Sequence, residues 1–201
     1  MGQRLLRVLA QSGHRARGLI RNPDHAADLE ELGAEAVVCD LEADDDVSGA
    51  VEGADAVVFA AGAGPGSGAE RKKTMDLGGA VKLIDAAKAN GIRRYVMVSS
   101  VGADDPSRGG EQMRPYLEAK HDADVALEQA GLDHTIVRPG RLTDDPGTGR
   151  VAAGPEVQRA EIPRDDVAAV LAAVLENDGT IGKKFVVVSG ETPVDEAVRS
   201  L

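Results

Sequence analysis

Ala54-Asp-Ala-Val-Val-Phe-Ala-Ala61, followed by the glycine-rich run Gly62–Gly68, is the stretch whose reading decides the fold. Apart from Asp55 it is apolar without alternation. A half-solvated strand shows a period of two, whereas a continuous apolar run is the signature of a strand covered on both faces of a parallel sheet. Upstream, Arg15–Ile20 and Ala36–Cys39 read as further strands, and Asp24–Leu32 as a helix begun by Asn22-Pro23 and ended by Gly33. Leu5, Leu6, Val8 and Leu9 form the apolar face of a first helix that Gly13 closes, and the acidic stretch Leu41–Val51 reads as a short helix. Downstream, Leu77, Val81, Ile84 and Ala87 recur at helical spacing up to the stop Asn90-Gly91. Then come a strand at Arg94–Ser99, a helix over Tyr116–Ala130 and a strand at Thr135–Val137 that ends at Arg138-Pro139-Gly140. A helix over Asp165–Asn177 and a strand at Lys184–Val188 complete the order. Alternating strands and helices predict an α/β fold, a doubly wound parallel sheet in a single domain over residues 1–201.

Composition narrows the function. The formal net charge is −11 in 201 residues, which argues against nucleic acid as a partner, because that needs a basic footprint. Aromatics make up 2% with no Trp, so Val, Ile, Leu and Ala must fill the core. No apolar run approaches membrane-spanning length, and Arg4 and Arg7 interrupt the N-terminus, so the expectation is a cytoplasmic protein with no membrane partner. The single cysteine, Cys39, reads as a buried small hydrophobe. His14, His25, His121 and His134 lack metal-ligand spacing, and no metal is expected.

Two groups of residues carry chemistry. Arg21 directly follows the strand Arg15–Ile20, where an acidic residue would bond a ribose 2′-hydroxyl and an arginine suits a 2′-phosphate; the competing reading is a solvated arginine at a strand end. Asp40, at the next strand end, reads either as an adenine contact or as a turn residue. Tyr116 and Lys120 stand four apart on one helix face. A phenol acting as a general acid gains from a neighbouring ammonium, which favours phenolate and can also hold a nicotinamide ribose. Ser99 and Ser100 end the preceding strand, where their hydroxyls would orient a substrate carbonyl or merely shape the turn.

Arg94–Asp105 (RYVMVSSVGADD), Tyr116-Leu117-Glu118-Ala119-Lys120 and Thr135–Gly140 (TIVRPG) resemble the atypical short-chain dehydrogenase/reductase superfamily. The similar branch is the NmrA-like, NAD(P)H-binding group that includes flavin/biliverdin-reductase-like proteins. Arg21-Asn22-Pro23, Asp40-Leu41 and Asp76-Leu77-Gly78-Gly79 match it in order and spacing. The resemblance implies a Rossmann-type sheet and a nicotinamide cofactor, NADP rather than NAD. It implies Tyr116 as proton donor with Lys120 and Ser100 assisting. Gly2, Arg21, Asp40, Leu41, Ala60, Ala61, Gly62, Ser99, Lys120, Pro139 and Gly140 are implied along the cofactor. Substrate contacts would come from the loops Val101–Pro115 and Thr143–Pro163. The activity implied is reduction of a small carbonyl, quinone or flavin-like substrate. A cofactor-binding sensor without turnover is the alternative, since members of this branch include such proteins.

One departure concerns the N-terminus. The family pattern places a strand and Gly-x-x-Gly-x-x-Gly before the first helix, and Gly2 matches only the last glycine. The expectation is an N-terminally truncated sheet whose natural start lies upstream; a short form, down to a remnant that binds nothing, is the alternative. The strands Arg15–Ile20 and Ala54–Ala61 would then flank the vacancy and could close it by pairing directly. Gly64-x-Gly66-x-x-Ala69 formally fits a dinucleotide fingerprint, but the next strand ends in Ser99-Ser100 rather than an acid, and Pro65 sits in the turn, so Gly62–Gly68 reads as a loop on the active-site side.

Overall fold

The structure is a computed structural model that describes residues 1–64 and 66–201; Pro65, placed in the glycine turn above, lies outside the described residues. Chain order begins with α1 (Gly2–Gln11), β1 (Arg17–Ile20), α2 (Ala26–Glu31) and β2 (Glu35–Val38). β3 (Ala56–Phe59) is the central part of the apolar run and has Val57 and Phe59 fully buried. It leads through α3 (Ala69–Arg71) and a π-helical segment, Lys72–Gly79, into α4 (Ala80–Ala89). β4 (Arg94–Val98), α5 (Gly110–Gln129) and β5 (Asp133–Pro139) follow, then β6 (Arg141–Thr143), β7 (Arg150–Gly154) and β8 (Glu161–Pro163). The chain closes with α6 (Arg164–Leu175), β9 (Lys183–Ser189), β10 (Thr192–Pro193) and α7 (Val194–Arg199).

The main sheet has the order β10-β7-β9-β5-β4-β3. β3, β4, β5 and β9 run parallel, while β7 is antiparallel to β9 and β10 to β7. A six-stranded sheet that is parallel at its centre agrees with the expected Rossmann-type architecture. The strands β6, β7 and β8 occupy a stretch whose Gly and Asp content reads as a connection. Helix α5 also starts earlier than expected and carries Pro115 inside it.

Two readings are corrected. Leu41–Val51 is not a helix: only Ser48–Val51 forms a short 3₁₀ turn. Asp40 accepts the N–H groups of Glu42 and Ala43, and Asp46 that of Ser48, so acidic side chains satisfy the backbone locally in place of a helical ladder. The strands Arg15–Ile20 and Ala54–Ala61 do not pair with each other either. Among the described residues β1 pairs with β2 alone, in a separate two-stranded parallel ladder, and β3 pairs with β4 alone. The two ladders are joined by packing instead. Leu19 of β1 and Val37 of β2 lie against the core that holds Val57 and Phe59, and Leu5 of α1 shares the other core with Val167, Val170 and Leu171 of α6. A Cβ on Gly18 would lie 2.4 Å from Leu29 Cδ2, which shows how closely the side chains of α2 pack over β1.

Strands with one unpaired edge open more readily than fully laddered ones. In native-state hydrogen exchange, the amides of β1 and β3 should therefore exchange faster than those of β4 and β5, which have a partner on each side. Equal protection across these strands would show that β1 and β3 are joined after all. Among the described residues, no helix is long and apolar enough to cross a membrane.

Candidate active site

Strand ends β4 and β5 and the inner face of α5 meet at one place. Tyr116, Lys120 and Asp124 are spaced four apart on α5, and this stripe faces the residues that follow Val98 and Val137. Burial pushes the Tyr116 phenol up from its ordinary value, the neighbouring Ser100 hydroxyl pulls it down, and the charges of Asp76 and Asp124 raise it further. The expected pairing of Tyr116, Ser100 and Lys120 is thus brought together, with the Lys120 Nζ 6.0 Å from the centre of the Tyr116 ring. Lys120 itself is 3% exposed; its ammonium donates to the Val98 carbonyl at 3.1 Å and lies 3.3 Å from Asp76 Oδ1.

Ser99 takes a different part from its neighbour. Its hydroxyl points inward and donates to Asp124 Oδ2 at 2.9 Å, so it braces α5 instead of facing an open site. The same Asp124 oxygen accepts from Arg138 Nε at 3.0 Å and Nη2 at 2.8 Å. All three side chains are buried. Asp124, Arg138 and Asp76 are functional candidates that reading the residues alone passed over, although the spacing Tyr116, Lys120, Asp124 was there to find the first.

The other end of the site is built on β1 and β2. Arg21 Nη1 lies 3.6 Å from Glu42 Oε2, and Arg71 Nε lies 3.2 Å from the same oxygen. Thr74 donates to the other oxygen of Glu42 at 2.7 Å. That bond, with Arg71, holds the Glu42 carboxyl below the usual carboxylate range. Two guanidinium groups thus share one carboxylate. Arg71 ends α3, far from Arg21 in the chain, and only the fold brings the two together on Glu42. Asp40 is committed to its own turn, as the alternative reading had it. Leu41 is buried against Gly79.

Between these ends lie Ala60 and Ala61, both half-buried, and Gly62. Pro139 ends β5, and Gly140 follows it. A Cβ on Gly140 would come within 2.0 Å of the Ala160 carbonyl oxygen, so the close approach of these two chain segments requires glycine. Gly2 opens α1 with no heavy atom within 4 Å of where its Cβ would sit. In the same turn Arg4 pairs with Asp144 and Asp165, next to the ends of β6 and β8. The first N–H groups of a helix have no partners within it and attract anions.

The donor set therefore suits a dinucleotide: guanidinium groups at the ends of β1 and β2, the glycines and first N–H groups already described, and the Tyr116 and Ser100 hydroxyls at the ends of β4 and β5. Comparison with known proteins agrees. The family described as NAD(P)H-binding matches residues 1–178. The chain belongs to the NAD(P)H-binding family. Similar to this NAD(P)H-binding protein is the Bacillus subtilis (strain 168) protein named "Uncharacterized sugar epimerase YhfK", 40% identical over 203 residues that cover 100% of this chain and 95% of the other. A Bacillus halodurans structure, provisionally named an NAD-dependent epimerase/dehydratase, is 44% identical with a TM-score of 0.95 over 99% of this chain and 94% of that one. The structure of the oxidoreductase ylbE from Lactococcus lactis is 28% identical with a TM-score of 0.86, over 100% of this chain and 91% of that one. The NAD(P)H-binding protein therefore lies among oxidoreductase- and epimerase-like relatives.

Proposed function

We propose that this NAD(P)H-binding protein is an NADPH-dependent reductase of a small carbonyl, quinone or flavin-like compound. The observation that carries this reading is the meeting of Tyr116, Ser100 and Lys120 at one strand end. A bound nicotinamide would supply hydride to the substrate carbon. The protein's part is the proton. Tyr116, kept protonated by its burial, gives its phenolic hydrogen to the carbonyl oxygen as that oxygen gains charge. Ser100, beside the phenol, would accept or give a hydrogen bond that fixes its direction, and the Lys120 ammonium, 6.0 Å from the ring centre, would offset the negative charge left behind. The Bacillus subtilis relative's name supports a second reading, since the same three groups also serve oxidation of a sugar hydroxyl followed by its return as the epimer. Net consumption of NADPH separates the two, because an epimerase shows none.

NADP rather than NAD is supported by Arg21 and Arg71, which meet on Glu42. A 2′-phosphate would take both guanidinium groups from that carboxylate. Fluorescence titration should give tighter binding of NADPH than of NADH. Arg21→Ala and Arg71→Ala should each weaken NADPH by roughly tenfold, in keeping with about 1.5 kcal/mol for one hydrogen bond to a charged group. Glu42→Gln should strengthen NADPH and leave NADH unchanged, because it removes a competing negative charge. Equal effects on both cofactors would reject the 2′-phosphate assignment, and absence of any binding to the folded chain would reject the reductase reading.

A further inference from the structure

Asp76 is the charged residue of this region to which no role has been given. It is 1% exposed, and it sits in the π-helical segment Lys72–Gly79 between α3 and α4. A π-turn contains one residue more than an α-turn, which changes the face on which the following residues lie, and such turns are frequent at functional sites. Here the buried face of the segment carries Met75, Asp76 and Gly79. The carboxylate has two separate partners. Its Oδ2 accepts the N–H of Ala63 at 3.1 Å, in the loop that follows β3. Its Oδ1 lies 3.3 Å from the Lys120 ammonium, which is otherwise held by the Val98 carbonyl and lies 5.3 Å from the centre of the Phe59 ring. A Cβ on Gly62 would sit 2.9 Å from Oδ1, so the loop backbone is fitted against this carboxylate and has no room for a side chain.

We infer that Asp76 is a positioning residue of the site: one carboxylate holds both the Lys120 ammonium and the backbone at Gly62-Ala63, and so keeps the lysine and the loop in a single arrangement. The inference rests on the reductase reading only for the ligand used in part of its test. Lys120 is faced by Asp76 from the π-helical segment and by Tyr116 and Asp124 from its own helix, with Asp124 in turn bound to Arg138 of β5. Burial pushes the ammonium down from its ordinary value, and the charge of Asp76, 3.3 Å away, with the charge of Asp124, opposes that. Without the Asp76 charge, burial meets less opposition and Lys120 loses its proton at a lower pH.

The test compares the wild-type chain with Asp76→Asn, Lys120→Met and Gly62→Ala. The first readout needs no ligand: the pH titration of the Lys120 ¹³Cε resonance in lysine-labelled protein, assigned by its loss in Lys120→Met. The expected result is a midpoint at least one pH unit lower in Asp76→Asn, and a shift in the same direction in Gly62→Ala, whose added methyl displaces the carboxylate. The second readout is NADPH binding followed against pH. Affinity in Asp76→Asn should match wild type at pH 6 and fall away at lower pH than wild type does, whereas Lys120→Met should lack that step. A residue that only supports the fold would lower the melting temperature without moving either curve. Superimposable Lys120 titrations in wild type and Asp76→Asn overturn the inference, and Gly62→Ala decides it by the same titration should Asp76→Asn not fold. Absence of NADPH binding by the wild type would count against the reductase reading alone, because the lysine titration still decides the role of Asp76.

Discussion

Replacing Tyr116 by phenylalanine lowers turnover by about two to four orders of magnitude and leaves NADPH affinity unchanged. That range is the usual contribution of a positioned proton donor. The substitution removes only the hydroxyl: the ring remains to pack near Lys120 Nζ, so the fold and the ammonium are undisturbed. The size of the effect depends on the phenol being protonated at working pH. Burial and the charges of Asp76 and Asp124 favour that state, and the neighbouring Ser100 hydroxyl offsets them in part. Single-turnover reduction of a quinone by NADPH, followed at the nicotinamide absorbance, would measure it. Turnover that survives the substitution would remove Tyr116 from the mechanism, and a wild-type chain that binds NADPH without oxidising it would indicate a sensor.

The second large effect is on stability. Arg138→Met should destabilise the chain by about 3–5 kcal/mol, the usual cost of breaking a buried ion pair from one side. Asp124 Oδ2 accepts two hydrogen bonds from Arg138 and one from Ser99, and both charged side chains are almost fully buried. At about 2–4 °C per kcal/mol for a chain of this size, the melting temperature would fall by roughly 6–20 °C. Burial already pushes the Asp124 carboxyl up, and Arg138 is the main force opposing it. Removing the arginine raises it further. An acid whose folded value lies above its unfolded value favours the folded state at low pH, and that contribution is lost as the pH rises through the folded value. The penalty of Arg138→Met should therefore shrink as the pH is lowered. The double substitution Asp124→Leu with Arg138→Met should recover most of the loss, since well-packed apolar groups often replace a buried pair without cost. Urea melts of the three variants at two pH values test this, and a double variant no better than the single one would show that the pair is not the source of the stability.

Much of this protein is legible before any coordinates. The run Ala54–Ala61 announces a buried strand, and β3 lies within it with Val57 and Phe59 in the core. The four-residue spacing of Tyr116 and Lys120 places them on one helix face, and α5 does so. Other readings failed for identifiable reasons. The periodicity that sets Leu77 and Val81 on the apolar face assumes 3.6 residues per turn; the π-helical segment changes the register, so Asp76 and Gly79 are buried while Leu77 and Val81 are only partly covered. The acidic stretch after Asp40 looked helical, but its carboxylates cap turns instead.

The division between the two kinds of information has a physical basis. Hydrophobic period, glycine stops and residue spacing along one element are local properties, and these by themselves determined the α/β class, the succession of strands and helices along the chain and the Tyr116–Lys120 face. Tertiary structure alone decided which elements share a partner. It left β1 and β3 in separate ladders, brought Arg71 to Arg21 across 50 residues of chain through Glu42, and set Asp76 against Lys120. Charge makes these long-range pairings specific. A buried carboxylate or ammonium is tolerable only where the fold brings it an opposite charge or a hydrogen bond, and local sequence does not encode where that partner will come from.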